Sequence, residues 1–247
     1  MIIISRKDCF KTMPKAVLFD TDNTLYDYYP ANKAAECAAE KKAIKLLGIS
    51  DMTFKKYYAI ARSEVKKTLG QTASSHSRLL YFKTMLELLG TRAELQIALD
   101  LEHTFWREFL NNAALFDGVF EVLQKLRELK IPIGIVTDLT ANIQLRKLAY
   151  FGLQDTFDAI VTSEEAGADK PDQRNFKLMA KKLYLDNLYS TWMIGDNAYA
   201  DIKGAKASGA LAIQKVHRDI DIGKGEEKPN IILYSFNDLL KHISSIN

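Results

Sequence analysis

The 247-residue sequence is poor in cysteine, proline and histidine, with two, five and four copies respectively. Cys9 and Cys37 stand in unrelated contexts, so no disulfide framework is supported, and no Cys/His set has the spacing of a zinc site. A reducing cytoplasm is the natural setting for such cysteine usage. Long hydrophobic runs are also missing. No window approaches the roughly 18 apolar residues of a membrane span, and the apolar opening MIII is far shorter than a signal-peptide core. The expectation is a soluble, unexported protein without a membrane partner. Neither sign of charge dominates: 34 basic and 31 acidic residues, a formal charge of +3, are spread without blocks. That excludes an electrostatic case for a nucleic-acid partner while leaving room for a local pocket that takes a small anion. No fixed-period repeat signals a solenoid.

What is present fits a globular chain, 47% hydrophobic and 26% charged, long enough for one large domain or a domain with an insertion. Short apolar runs recur at AVLF (16–19), IPIGIV (131–136), DAIVT (158–162), WMI (192–194), LAIQ (211–214) and NIILY (230–234), with lengths that suit buried strands. Helical stripes lie between them, one through Val119, Leu123, Leu126 and Leu129, another through Phe176, Met179, Ala180 and Leu183. This alternation predicts an α/β fold, a Rossmann-like three-layer core whose parallel sheet is covered on both faces. Pro171 falls where a first helical turn would begin, and Gly209 where the Asp201 to Ser208 helix would end.

Residues 28–112 break the alternation with helical stretches rich in Ala, Leu, Lys and Glu and no convincing strand. They read as an all-helical cap domain inserted after the first predicted strand, splitting the core into 14–27 and 113–247. An insertion at the carboxyl end of a sheet strand lies where open α/β folds place ligands. Residues 1–13 fit neither part and read as an amino-terminal extension, or as a start site placed too early.

Polar residues capable of handling a phosphate follow four of the predicted strands: Asp20 and Asp22, then Thr137, then Lys170 in GADKPD, then Asp196 and Asp201 in IGDNAYAD. In a parallel sheet these carboxyl ends share one edge, so residues far apart in sequence can converge. A cluster of carboxylates is unfavourable unless a cation neutralises it. Magnesium suits oxygen ligands and leaves room for phosphate oxygens. With the metal bound, one Asp can attack phosphorus and a second, two residues on, can manage protons. Thr137 can donate its hydroxyl and Lys170 can offset charge. Taken singly, each residue reads as a loop cap, a strand-end hydroxyl or a solvated charge. Their shared placement after strands argues otherwise.

In that order the chain resembles the haloacid dehalogenase-like hydrolase superfamily, which consists mostly of magnesium-dependent phosphatases. The motifs are VLFDTDNTL, IGIVTD, DKP and IGDNAYADIKGAKASGA, and the likeness runs from Pro14 to the end. The resemblance implies Asp20 as nucleophile and Asp22 as general acid/base. It implies magnesium held by the Asp20 carboxylate, the Asp22 backbone carbonyl and Asp196, with Asp201 in support. Thr137 and Lys170 would bind the phosphoryl group, and Thr21, Asp22 and Asp138 are counted with them at the phosphate site. The helical insertion looks like the family's cap. Asn23 replaces the usual Gly and can supply the same positive φ; Asp138 stands where Asn is frequent.

The expected function is therefore hydrolysis of a small phosphorylated metabolite, a sugar phosphate or nucleotide, by a monomer or homodimer. A metal-independent 2-haloacid dehalogenase needs no second acid, so Asp22 argues against it. Phosphonate cleavage through a cap lysine imine singles out no lysine. A non-catalytic phospho-ligand binding protein would have no need for the complete set of motif residues. In the cap, His76 and Arg78 open a helix and read as solvated, and the aromatics Tyr57, Tyr58, Phe105 and Trp106 read as core.

Overall fold

The computed structural model describes residues 2–4, 10–92 and 94–246. Residues 5–9 of the expected extension, Cys9 among them, lie outside that set. The chain forms two compact units, Met1–Asp27 with Ala114–Asn247, and Tyr28–Ala113.

In the first unit the strands are β1 (Ile2–Ile4), β2 (Ala16–Phe19), β3 (Ile133–Thr137), β4 (Ala159–Thr162), β5 (Thr191–Gly195), β6 (Leu211–Lys215) and β7 (Ile231–Leu233). They form one sheet in the order β1-β7-β6-β5-β2-β3-β4, parallel throughout except for β1, which runs antiparallel to β7 with Ile2 opposite Leu233. β2, β3 and β5 are buried along their whole length, which is why each reads in sequence as an unbroken apolar run.

Helices α1 (Tyr28–Leu47), α2 (Asp51–Leu69), α3 (Arg78–Leu88) and α4 (Leu95–Asn111) make the second unit. The others, α5 (Val119–Glu128), α6 (Ala141–Tyr150), α7 (Ser163–Ala166), α8 (Gln173–Lys182), α9 (Gly204–Ala207) and α10 (Phe236–Ser245), belong to the first. Side chains of β2 alternate between two cores. Leu18 packs with Val136, Val161, Phe176, Met179 and Met193 on one face, while the Phe19 ring approaches Phe236 of α10 at 6.4 Å.

Several expectations need correction. The first residues contribute a strand, because three consecutive β-branched isoleucines suit an edge position beside β7. Phe10, also within the expected extension, is 1% exposed and stacks on His242 with centroids 3.9 Å apart. Pro171 is not the first helical residue, since α8 starts at Gln173 behind an Asp172 cap whose carboxylate accepts from the Arg174 amide at 2.9 Å. On α5 the buried stripe runs through Val119, Val122, Leu123 and Leu126, whereas Leu129 ends the helix and is 40% exposed.

Within the helical unit, α1 buries Ala31, Ala35, Ala39 and Ala43 in a row. Alanines at i, i+4 spacing let a neighbouring helix approach closely, and α4 packs there. Tyr58, Phe105 and Trp106 are buried core residues, whereas Tyr57, expected with them, is only half-buried. Among the described residues no helix is long and apolar enough to cross a membrane.

Candidate active site

The sheet reverses its winding at β2: later strands add beyond β3 on one side and beyond β5 on the other. Such a switch point leaves a crevice at the carboxyl ends of the strands. Asp20 sits there, its amide donating to the Ile194 carbonyl of β5 at 2.9 Å. The loop then turns sharply, the Thr24 and Leu25 amides donating to the Thr21 carbonyl at 3.3 and 2.9 Å. Asn23 takes φ +58°, a left-handed conformation that Asn tolerates better than most residues.

Lys170 is the charge at the centre of the site. Its Nζ donates to Asp20 Oδ1 at 2.6 Å, to Asp201 Oδ1 at 2.7 Å and to the Val136 carbonyl at 2.9 Å. All three side chains are nearly sealed from solvent, at 2% exposed for Lys170, 9% for Asp20 and 1% for Asp201. Burial pushes the Asp20 carboxyl up to about 7, opposed by Lys170 and reinforced by Asp201 and Asp22. Burial also raises Asp201 against the pull of Lys170, and burial with the charges of Asp201 and Asp20 lifts Asp196 well above the carboxylate range. Burial works against the Lys170 charge, but Asp20, Asp201 and Asp138 outweigh it and hold the ammonium well above the ordinary lysine range.

Asp20, Asp196 and Asp201 each place a carboxylate oxygen within 4.8 Å of the others. Three acids this close, all driven toward protonation, are what a cation would relieve. A donor set of oxygens alone fits a hard ion such as magnesium and not zinc. The residues present therefore fit the metal that the motifs imply.

Asp201 reaches this cluster because of two local features. Asn197 caps the π-helical turn Ala198–Lys203, accepting from the Tyr199 and Ala200 amides at 3.0 and 2.9 Å, and its own amide donates to Asp201 Oδ2 at 3.0 Å. Gly195 leaves the necessary room, since a Cβ there would stand 2.4 Å from the Asp201 carboxylate. Gly195→Ala is accordingly expected to push Asp201 aside, lowering stability by about 1–3 kcal/mol and weakening magnesium binding. Thermal melts with and without magnesium check this; a variant with unchanged melting and unchanged metal-induced stabilisation would contradict it.

On the other side of Asp20, the Thr137 and Thr21 hydroxyls lie 2.8 Å apart. Gln144 Nε2 donates to Thr137 Oγ1 at 2.9 Å and to the Asp138 carbonyl at 2.7 Å. The Asp138 carboxylate, which burial raises to about 6 against the pull of Lys170, accepts from the Lys170 amide at 2.8 Å. It thus ties the loop after β3 to the loop that carries Lys170. The Asp22 side chain, 31% exposed, accepts from the Lys147 ammonium at 2.8 and 3.0 Å and from the Tyr26 hydroxyl.

Gln144 and Lys147 were not among the residues singled out by sequence. Both lie on the buried face of α6 with Ile143 and Leu148. A signal existed: long polar side chains placed on the apolar stripe of a helix require buried partners. Within the helical unit, Arg78 departs from its solvated reading. Its guanidinium lies 5.4, 5.1 and 5.6 Å from the ring centroids of Tyr81, Phe105 and Trp106 and donates to the His76 carbonyl at 2.8 Å and to the Tyr28 hydroxyl. Planar guanidinium stacks on aromatic faces at little desolvation cost, which a sequence stripe does not reveal.

Comparison with known proteins bears on what this arrangement serves. The family model for haloacid dehalogenase-like hydrolases matches residues 14–209. A ribulose-1,5-bisphosphate 5-phosphatase of Halopiger xanaduensis is 42% identical over 199 residues, covering 80% of this chain and 82% of that protein. A glyceraldehyde 3-phosphate phosphatase of Methanopyrus kandleri is 29% identical, covering 82% and 84%. Among solved structures, a 2-haloacid dehalogenase from Pseudomonas syringae shares the fold at a TM-score of 0.72 and 22% identity, covering 94% of this chain and 99% of that one. With its four motifs gathered at one sheet edge and four-fifths of its length matched, the chain belongs to the haloacid dehalogenase-like hydrolase family.

Proposed function

We propose that the protein is a magnesium-dependent phosphatase that hydrolyses a small phosphorylated metabolite, a sugar phosphate or nucleotide, through an aspartyl phosphate on Asp20. What carries this reading is the Asp20 carboxylate at the switch point, with Lys170 at 2.6 Å and two further carboxylates in reach. Relatives named as phosphatases of ribulose bisphosphate and glyceraldehyde phosphate support sugar phosphates as the substrate class.

In the first step an Asp20 oxygen attacks phosphorus, the bond to the leaving oxygen breaks, and Asp22 delivers a proton to that oxygen. In the second, Asp22 takes a proton from water, which attacks phosphorus and releases phosphate with Asp20 restored. Lys170 and Thr137 bind phosphoryl oxygens; the Gln144 bond onto Thr137 Oγ1 leaves the hydroxyl proton to be donated elsewhere. Thr21 and Asp138 shape this pocket through their bonds to Thr137 and Lys170. Magnesium, held by Asp20, Asp196 and the Asp22 carbonyl with Asp201 in support, would neutralise the carboxylates and polarise the phosphoryl group.

The test is phosphate release from ribulose 1,5-bisphosphate, glyceraldehyde 3-phosphate and a pyrimidine nucleotide, with magnesium and with a chelator. At least one substrate should turn over, about 100-fold or more faster with the metal. Equal rates in chelator would refute the metal dependence, and tight binding without turnover across the panel would favour a binding protein.

A further inference from the structure

Lys147 is 1% exposed and its ammonium reaches both oxygens of Asp22, at 2.8 and 3.0 Å. A buried ammonium needs a fixed anionic or polar partner, so the pair anchors α6 to the catalytic loop. The contact is two-pronged, and the rest of the setting restricts it further. Lys147 Nζ stands 5.9 Å from the Tyr26 ring centroid; Tyr26 is itself 1% exposed, donates its hydroxyl to Asp22 Oδ1 and packs on Phe151 at 5.0 Å. Thr21 adds a longer bond to Oδ1 at 3.4 Å. Asp22 is thus gripped from its buried side while 31% of its side chain stays open.

We propose that Lys147 is a positioning residue for the reaction, aiming the Asp22 carboxyl at the leaving oxygen. This rests on the phosphatase reading above. Lys147 itself need touch neither the phosphoryl group nor the leaving group. The consequence depends on leaving-group chemistry. An alkyl phosphate expels a basic alkoxide that must be protonated as it departs, whereas 4-nitrophenolate is stable enough to leave without that help.

The experiment compares kcat/KM for the best substrate of the panel above, each member of which is an alkyl phosphate, and for 4-nitrophenyl phosphate in the wild type, Lys147→Met and Lys147→Arg, with magnesium. Lys147→Met should lose about 100-fold on the alkyl ester and only about threefold on the nitrophenyl ester. Lys147→Arg, which retains a cation with forked donors, should recover most of the alkyl activity. Thermal melting establishes that each variant is folded, and if Lys147→Met fails to fold the Arg variant carries the same comparison with a smaller, still selective loss. An equal loss on both esters in a folded variant, or no loss on either, overturns the positioning role while leaving the phosphatase reading intact. A wild type that hydrolyses neither ester overturns both.

Discussion

Asp20→Asn is expected to reduce magnesium-dependent phosphate release by about 10,000-fold or more, in line with the loss of a nucleophile that acts within a catalytic unit. The substitution is nearly isosteric, but a neutral amide oxygen is far too weak a nucleophile to displace the leaving group from phosphorus. Its effect on stability should be small, because Lys170 keeps its bond to Asp201 at 2.7 Å and the site loses one of several mutually repelling acids. The position is sealed, at 6% exposure, and the amide oxygen of the variant side chain can still accept from Lys170 there. The measurement is phosphate release from the best substrate of the panel alongside a thermal melt. A folded variant retaining a tenth of wild-type activity would remove Asp20 from the nucleophile's role.

Lys170→Met should be the most damaging change to the fold. It leaves Asp20 and Asp201, at 9% and 1% side-chain exposure, without their shared ammonium. Breaking a buried pair in this way is worth about 3–5 kcal/mol, a fall in melting temperature on the order of 10 °C for a chain of this size. The pH dependence follows from sign. In the wild type burial already lifts Asp20 to about 7 despite Lys170, and Asp201 is raised too; without Lys170 both rise further. Carboxyls whose folded pKa exceeds the unfolded value of about 3.9 bind more protons when folded. The variant's deficit should then be largest above pH 7, where the wild-type Asp20 is ionised, and shrink as pH falls through about 7. Added magnesium should raise the variant's melting temperature more than the wild type's, because an internal cation no longer competes for the carboxylates. Melting within 2 °C of wild type at pH 7 without metal, a difference of about 1 kcal/mol or less, would show that Lys170 is not the charge balancing this cluster. On the proposed mechanism activity should be lost as well, because Lys170 would no longer bind the phosphoryl oxygens.

These two variants separate functions that the site combines. On the proposed mechanism Asp20 contributes chemistry at little structural expense, whereas Lys170 balances the buried carboxylates before any substrate arrives. The same division extends outward. Asp138 and Gln144 spend their hydrogen bonds on loops and on Thr137, and Gly195 contributes an absence of side chain that lets Asp201 approach. Arg78 shows the complementary case in the helical unit, a cation stabilised by ring faces and by hydrogen-bond acceptors at Tyr28 and His76.

The α/β core, the helical insertion and the four strand-end motifs are legible in the order of residues without any coordinates. Strands of a sheet covered on both faces must be apolar at every position, so AVLF and its counterparts announce themselves locally, and acids after such runs fall on one edge whatever the helices do. Which partners those acids would have depended on the folded chain. The Ile2–Ile4 strand requires β7 to be available to pair with it, and the burial of Phe10 on His242 involves residues 232 positions apart. The Lys147 grip on Asp22 spans 125 positions, and the Lys170 bond to Asp20 spans 150. A lysine's sequence neighbours do not say whether its ammonium ends in water or between carboxylates, because that is settled by the desolvation and charge of groups brought close only by folding.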